Sequence, residues 1–242
     1  MIDKKYFVFV CGCGHTGTTI LGRMLGSHSK ISLIPEELGV FLANRYYRRD
    51  ELIAPYLERA DANGEHIIID KTPRAVWHVD YIRRVWPNSK FIICTRNGPD
   101  TVTSIFDRTK DFDSAMNRYS DDSIMSIRQI DCDDVFLSRH EDLLDDPEKH
   151  ISSILNFLGV EYEKSTIEYW KTPIEWNLKS STNALKPTKH DLKRNKQVNE
   201  PLKNKASNWK DKLPKEHHKK IIDFFSDSSL GGRIMADLGY KY

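Results

Sequence analysis

The residues near the N-terminus that are best suited to chemistry are small ones that can surround an anion. A turn contains Gly12, Gly14 and Gly17, and Thr18 and Thr19 follow it directly. The backbone N–H groups of such a turn and of the next helix point into one concavity, and the helix dipole favours negative charge there. The turn therefore predicts a binding site for a phosphate-type group.

The spacing of these glycines nearly fits the P-loop pattern G-x-x-x-x-G-K-[ST], with Gly12 and Gly17 as its two glycines. Thr18 occupies the position of the lysine, which in nucleoside triphosphatases reaches the β- and γ-phosphates. Its replacement argues against an ordinary ATPase or kinase. We therefore expect a phosphate-type ligand other than ATP, and the alternative is a glycine turn that holds no ligand.

A pair of carboxylates, Glu36 and Glu37, follows Pro35. Proline in a first turn followed by acidic residues is typical of a helix start, where the dipole favours carboxylates, so we predict a helix over 35–42. The segment can also return to the carboxyl edge of the sheet, where open α/β folds bind ligands. The pair is thus open to a structural and to a functional interpretation.

Other polar residues follow predicted strands. Asp70 closes an apolar strand and resembles the magnesium-binding aspartate of nucleoside triphosphatases, but the adjacent Lys71 argues against that role. Arg96 follows another apolar strand, and Ser104 lies eight residues later in a predicted helix. A guanidinium fork and a hydroxyl at these positions could converge on one phosphate.

Buried strands and amphipathic helices alternate along the chain and position these residues. Apolar runs rich in β-branched residues predict strands at 6–10, 31–34, 66–70, 91–95 and 135–138. Helical spacing predicts helices from Thr18, over 76–85, from Pro99, over 147–158 and from Pro214. Residues 111–129 show no clear pattern, and 170–208 are predicted to form a long loop packed as a lid. The order predicts an α/β fold of P-loop type, with three layers and a central, mainly parallel sheet flanked by helices.

The length of 242 residues is compatible with one domain spanning 1–242, with the anion-binding loop at 11–19 and a basic, lid-like segment at 171–212. The N-terminal apolar run of about six residues is too short for a signal peptide or a membrane span. The four cysteines show neither zinc-type pairing nor a disulfide framework. We therefore expect a cytoplasmic protein.

The net charge of +2 conceals an asymmetry. Residues 179–220 contain thirteen Lys or Arg and four Asp or Glu, so the rest of the chain is net negative. Such a segment can be a solvated face, a nucleic-acid patch or one wall of a pocket for a polyanion. No recognised nucleic-acid-binding motif accompanies it, so we expect no nucleic-acid partner.

Taken together, these motifs resemble those of the PAPS-dependent sulfotransferases, which transfer a sulfonate from 3′-phosphoadenosine 5′-phosphosulfate (PAPS) to a hydroxyl or amine. The family's [RK]-[ST]-G-T-T loop is similar to residues 15–19, and its Arg–Ser pair for the 3′-phosphate is similar to Arg96 and Ser104. The chain also has a KTPR stretch at 71–74, an EDL..DP stretch at 141–147, and a W-x-x-x-L followed by LGY at 209–213 and 238–240.

Within that family the pattern is most similar to the tyrosylprotein sulfotransferases and their bacterial relatives. The resemblance implies Glu36 as the catalytic base, Lys71 as a catalytic cation and Lys196 as a further phosphate contact. It also implies that the 5′-phosphosulfate is held by the loop residues Gly14, His15, Thr16, Gly17, Thr18 and Thr19. His15 departs from the pattern, because a titratable ring replaces a permanent cation beside the reacting group. We expect neither the signal anchor nor the disulfide pairing of the Golgi enzymes, so the expectation of a protein-tyrosine acceptor does not carry over.

The implied reaction suits these residue types. An in-line displacement is catalysed by positioning and electrostatics, with a carboxylate to accept a proton and a cation to meet the charge on the bridging oxygen. No metal is expected, because a sulfuryl group carries less charge than a γ-phosphate. The several negative charges of PAPS would give the basic segment a function.

Two other classes of function stay open. One is a nucleotide or small-molecule kinase with a degenerate P-loop, which would need ATP and Mg²⁺, and the other is a non-catalytic nucleotide-binding or nucleic-acid-binding module. The sequence does not specify whether the acceptor is a small molecule, a saccharide, a lipid or a peptide hydroxyl, and it does not specify the oligomeric state. No membrane partner is expected.

Overall fold

The computed structural model of the protein describes residues 6–41, 46–176, 189–202 and 208–240. Within these ranges the centre is a sheet of five parallel strands in the spatial order β2–β3–β1–β4–β5. The strands are β1 (Tyr6–Gly12), β2 (Ile31–Leu33), β3 (Ile67–Asp70), β4 (Lys90–Thr95) and β5 (Val135–Arg139). This sheet confirms the predicted α/β fold and the positions of its strands.

The position of β1 at the centre follows from its sequence. It lies between β3 and β4, with Phe9 opposite Asp70 on one side and Phe91 on the other. Residues 7–12 of β1 are all buried, and a strand that is apolar on both faces needs a helical layer on each side. Because the strands are parallel, their carboxyl ends meet at one edge of the sheet, where α/β folds bind ligands.

Helices cover both faces of the sheet and one end of it. In chain order they are α1 (Thr18–Leu25), α2 (Arg49–Asn63), α3 (Val79–Val85), α4 (Gly98–Thr109), α5 (Phe112–Ile127), α6 (His140–Asp145), α7 (Pro147–Leu158), α8 (Lys189–Gln197), α9 (Trp209–Lys212), α10 (His218–Phe224) and α11 (Leu230–Asp237). One core cluster joins α1 and α7 to the sheet, a second joins α2 and α3 to its other face, and a third joins α4, α5, α10 and α11. The two faces and the sheet make the three predicted layers. No helix in the described ranges is long and apolar enough to cross a membrane.

The helix predicted over 35–42 is wrong. Residues 34–39 are irregular, and Leu42 lies outside the described residues. Both carboxylates of the segment bind side chains of other elements, because Glu36 accepts a hydrogen bond from Tyr56 and Glu37 pairs with Lys71. These tertiary contacts replace the helix-capping role that the local sequence indicates.

Other helical segments differ from prediction in extent. The helix predicted over 76–85 begins as a 3₁₀ turn, Pro73–His78, and becomes α-helical at Val79. α5 occupies the segment that shows no clear sequence pattern, because its buried face includes polar residues such as Ser120, Ser123 and Ser126. α2 was not predicted, and α8 lies inside the segment predicted as a loop. Of that predicted lid, residues 177–188 and 203–207 are outside the described ranges.

Candidate active site

The loop between β1 and α1 takes its shape from positions that require glycine. Gly12 and Gly17 have φ angles of 122° and 92°. A Cβ on Gly12 would lie 2.4 Å from the carbonyl oxygen of Cys94, so no side chain fits there. The hydroxyl of Thr16 donates to the carbonyl of Cys13 at 2.6 Å and closes the turn. The loop leads into the first turn of α1, where helix N–H groups have no partner within the helix.

His15 links this loop to the segment that follows β4. Its φ of 73° lies in the left-handed region, which costs a non-glycine residue about 1–2 kcal/mol. Its ring nitrogen Nδ1 lies 2.9 Å from the hydroxyl of Ser104. Its carbonyl oxygen accepts a long hydrogen bond, 3.4 Å, from Nη1 of Arg96. The structure thus brings together three residues that the sequence singled out in separate motifs.

A cavity of about 310 Å³ opens between the loop, α4 and α8. Among the described residues its charged lining consists of Arg96, Arg108, Lys193 and Arg194 against one acid, Asp107. This excess of cations favours an anionic ligand. The rest of the lining consists of His15, Gly17, Thr18, Thr19, Ile20, Ser104, His140 and Gln197.

Gly14 and Thr16, two of the loop residues predicted to hold the 5′-phosphosulfate, lie outside the cavity lining. The hydroxyl of Thr16 is occupied by the carbonyl of Cys13. The guanidinium of Arg118 covers Gly14, because a Cβ there would lie 2.4 Å from Arg118 Nη2. Both residues shape the loop from behind, and neither lines the cavity.

His140 adds a polar atom to the cavity that the sequence did not indicate. A Cβ on Gly17 would lie 2.6 Å from its Nδ1, so the ring packs directly on the loop. Burial, with a smaller effect of Arg96 and His150, lowers its pKa to about 4, so the ring is neutral near pH 7. Nδ1 is buried without a hydrogen-bond partner among the described residues. It is therefore available to a ligand in the cavity.

Glu37 joins the cavity to the end of β3. Its Oε1 accepts a hydrogen bond from the fully buried ammonium of Lys71 and another, at 3.0 Å, from Nη1 of Arg194. Burial raises the pKa of Glu37, but the two cations outweigh this effect and hold the pKa below its ordinary value. The ring of Trp176 lies 5.1 Å from Nζ of Lys71 and covers it. Glu37 is thus ionised, and Arg194 contacts it from the wall of the cavity.

Glu36, the predicted base, points elsewhere. Its Oε1 accepts a hydrogen bond from the hydroxyl of Tyr56, on α2. The same hydrogen bond contributes, after burial, to a raised pKa of Tyr56. Neither glutamate is part of the cavity lining, but Glu37 contacts the lining residue Arg194, whereas Glu36 does not. The structure therefore brings Lys71 to the neighbouring carboxylate, Glu37, and not to Glu36.

Lys196, the predicted phosphate contact, lies on the outer face of α8. Its side chain is 76% exposed and its Nζ is 3.6 Å from Glu200. Lys193, Arg194 and Gln197 of the same helix line the cavity. Lys196 is three residues after Lys193, so spacing alone does not separate the two, and the choice among the basic residues of α8 depends on the rotation of the helix about its axis, which the sequence did not reveal. A similar signal could have found Arg108, which lies four residues after Ser104 in α4.

The chain belongs to the sulfotransferase family: a sequence model described as "Sulfotransferase family" matches residues 44–164, half of the chain. Protein-tyrosine sulfotransferase A of Caenorhabditis elegans is 22% identical over an alignment of 204 residues, and the match covers 67% of this chain and 52% of the relative. The chain spans about half the length of the curated animal relatives it matches.

Solved structures of sulfotransferases share the fold. The sulfotransferase domain from the curacin biosynthetic pathway superposes with a TM-score of 0.62 at 16% identity, over 99% of this chain and 98% of that domain. The mouse sulfotransferase SULT7A1, solved in complex with PAP, superposes with a TM-score of 0.56 at 15% identity, over 98% and 88% of the two chains.

Proposed function

We propose that the protein is a sulfotransferase that moves a sulfonate from PAPS to a hydroxyl or amine of an acceptor. The observation that carries this proposal is the convergence of the loop, Arg96 and Ser104 on one cation-lined cavity. Membership of the sulfotransferase family supports it, as does a structure of the same fold in complex with PAP. We also propose that residues 1–242 act as one domain, because the cavity draws on elements from the loop after β1 to α8.

The residues of the cavity fit a nucleotide with anionic groups at both ends. The loop at Gly17 and the start of α1 suit the 5′ anion, and Arg96 with Ser104 suits the 3′-phosphate. The buried Nδ1 of His140 offers an unused polar atom on the wall of the same cavity, beside Gly17. When bound, PAPS supplies the activated sulfonate, and the protein supplies position and charge.

We assign the base role to Glu37 in preference to Glu36. Both cations bind Oε1 of Glu37, which leaves Oε2 for the hydroxyl or amine of an acceptor. A carboxylate paired with two cations is a weak base, but a negative charge in the cavity competes with Glu37 for Lys71 and Arg194. Glu37 then accepts the proton of the acceptor, and the released ammonium of Lys71 meets the charge that grows in the reaction.

Two measurements test this function. Calorimetric titration with adenosine 3′,5′-bisphosphate tests the donor site, and transfer from radiolabelled PAPS to a phenol, a saccharide and a tyrosine peptide tests the reaction and the acceptor class. We expect saturable binding of the bisphosphate without Mg²⁺. Tight binding of ATP–Mg²⁺ without binding of the bisphosphate would instead support a kinase.

A further inference from the structure

Two sequence motifs remain without a function in the site described above, the EDL..DP stretch and the late LGY stretch. Glu141 belongs to the first and is the second residue of α6, directly after β5. Tyr240 belongs to the second and follows α11. The fold brings these two residues, 99 positions apart, into direct contact beside the turn after β4.

The carboxylate of Glu141 uses both of its oxygens at that turn. Oε1 accepts the backbone N–H of Asn97 at 2.9 Å, and Oε2 accepts the hydroxyl of Tyr240 at 2.9 Å. The same hydroxyl lies 3.2 Å from the hydroxyl of Thr95. The contacts therefore hold the residues immediately before and after Arg96.

The C-terminal part of the chain packs closely on the same turn. The N–H of Gly98 points to Sδ of Met235 at 3.1 Å, and a Cβ on Gly98 would lie 2.2 Å from the ring of Phe225. The guanidinium of Arg139 lies 5.5 Å from the ring centroid of Tyr240. Burial, and then the Glu141 carboxylate, raises the pKa of Tyr240, so its hydroxyl stays a hydrogen-bond donor.

We propose that Glu141 and Tyr240 are positioning residues that aim the guanidinium of Arg96 at the phosphate on the 3′ side of the nucleotide. This inference rests on the proposed function, because it assumes that the cavity holds a nucleotide with a 3′-phosphate. Within the described residues the guanidinium of Arg96 donates one hydrogen bond, the long one of 3.4 Å to the His15 carbonyl, and Asp100 acts on it electrostatically, so the direction of its side chain depends largely on its backbone. A fixed turn holds the guanidinium, a bidentate donor, in position, because a small displacement would weaken its hydrogen bonds to the phosphate.

The test compares two nucleotides in two variants. Tyr240→Phe removes the hydroxyl, and Glu141→Gln keeps the shape but replaces one acceptor oxygen. We expect each variant to weaken binding of adenosine 3′,5′-bisphosphate about 5- to 20-fold and binding of adenosine 5′-monophosphate less than about twofold. Tyr162→Phe is the control, because it removes another tyrosine hydroxyl that a glutamate carboxylate, that of Glu148, influences electrostatically, and Tyr162 does not line the cavity.

Amide hydrogen exchange provides a readout that needs no ligand. We expect the N–H of Asn97 to exchange about tenfold faster in Tyr240→Phe and Glu141→Gln than in the wild type and in Tyr162→Phe. Equal losses for the two nucleotides, or unchanged affinities, would overturn the proposal and leave the contacts a purely structural role. If the wild type bound neither nucleotide, the proposed function would fail, and unchanged exchange at Asn97 would then reject the bracing of the turn as well.

Discussion

Glu37 shows how one carboxylate can serve two elements of a site at the scale of a single residue. Its Oε1 accepts hydrogen bonds from Lys71, at the end of β3, and from Arg194, on α8. The carboxylate of the adjacent Glu36 accepts a hydrogen bond from Tyr56. The two glutamates are neighbours in sequence but face different surroundings. A substitution of each one therefore separates catalysis from local packing.

We expect Glu37→Gln to reduce turnover about 10²- to 10⁴-fold, because an amide cannot accept the proton of the acceptor. The matched variant Glu36→Gln keeps the acceptor atom for Tyr56 and should reduce turnover less than about tenfold. Initial rates with PAPS, together with the affinity for adenosine 3′,5′-bisphosphate as a check of folding, decide between them. A larger loss in Glu36→Gln would return the base role to Glu36.

Arg96 is expected to recognise the 3′-phosphate. Arg96→Ala should weaken binding of adenosine 3′,5′-bisphosphate by about 1.5–3 kcal/mol, the range of a charge-assisted hydrogen bond. Binding of adenosine 5′-monophosphate should hardly change. Arg128→Ala, at an exposed arginine just after α5, is the control for a simple loss of positive charge. Parallel losses for both nucleotides in Arg96→Ala would assign the guanidinium to another contact.

The residues of the cavity were predictable to the extent that they stand in contiguous motifs. The loop glycines and the Arg96–Ser104 pair could be found because a strand, a turn and a helix fix their relation locally. The sequence did not allow a choice between Glu36 and Glu37, because the choice depends on which carboxylate faces the end of β3 and which one faces α2. His140 was missed because its contact with Gly17 joins residues far apart in the chain.

At the scale of elements, β3 ends in a buried carboxyl group, that of Asp70. Asp70 is 3% exposed, and its Oδ1 accepts a hydrogen bond from the hydroxyl of Thr72 at 2.6 Å. Burial raises its pKa from 3.8 to about 6, although Thr72 and Lys71 partly oppose the shift. The strand therefore carries a group whose ionisation is coupled to folding.

This coupling predicts a pH dependence of stability. Between pH 3.8 and about 6 the folded protein holds the Asp70 proton that the unfolded chain has lost, so the free energy of unfolding falls as pH rises through this window. The contribution is about 2–3 kcal/mol. Asp70→Asn should remove that part of the slope in urea unfolding measured from pH 4 to 7.5. The exposed Asp131→Asn should keep the wild-type slope, and a parallel curve for Asp70→Asn would contradict the assignment.

At the scale of the whole molecule, segments distant in sequence close over the carboxyl edge of the sheet. The side chain of Asn195 on α8 accepts the N–H of Trp176 at 2.9 Å, and Asn199 binds both the N–H and the carbonyl of Ile174. Arg23 of α1 donates to the carbonyls of Tyr169 and Thr172. α8 is thus attached to the body of the protein on one side and lines the cavity on the other.

Ligand binding should therefore change the stability of α8 specifically. Saturating adenosine 3′,5′-bisphosphate should slow amide exchange in Lys189–Gln197 by about tenfold or more, because Lys193 and Arg194 gain anionic partners. Exchange in α7, which packs on the sheet away from the cavity, should not change. Equal protection of both helices would indicate global stabilisation without a contact from α8.

The overall architecture was predictable because it depends on patterns that repeat along the chain. Each strand is a short apolar run, and α7 has both a regular apolar face and Gly159 after its end. α5 escaped prediction because serines and Asp122 fill part of its buried face. α8 escaped because it is strongly polar and is held by asparagine side chains, which carry no periodic signal.

The complete burial of Lys71 has a consequence for its chemical reactivity. An amine must reach solvent to react with an acylating reagent, and the side chain of Lys71 is 0% exposed beneath Trp176, whereas that of Lys196 is 76% exposed. A short pulse of such a reagent should label Lys196 quickly and Lys71 only when Glu37 and Trp176 move away. The ratio of the two labelling rates, measured by peptide mass spectrometry, would report how often the cover over Lys71 opens in solution. Equal rates would mean that the cover over Lys71 opens faster than the reagent reacts.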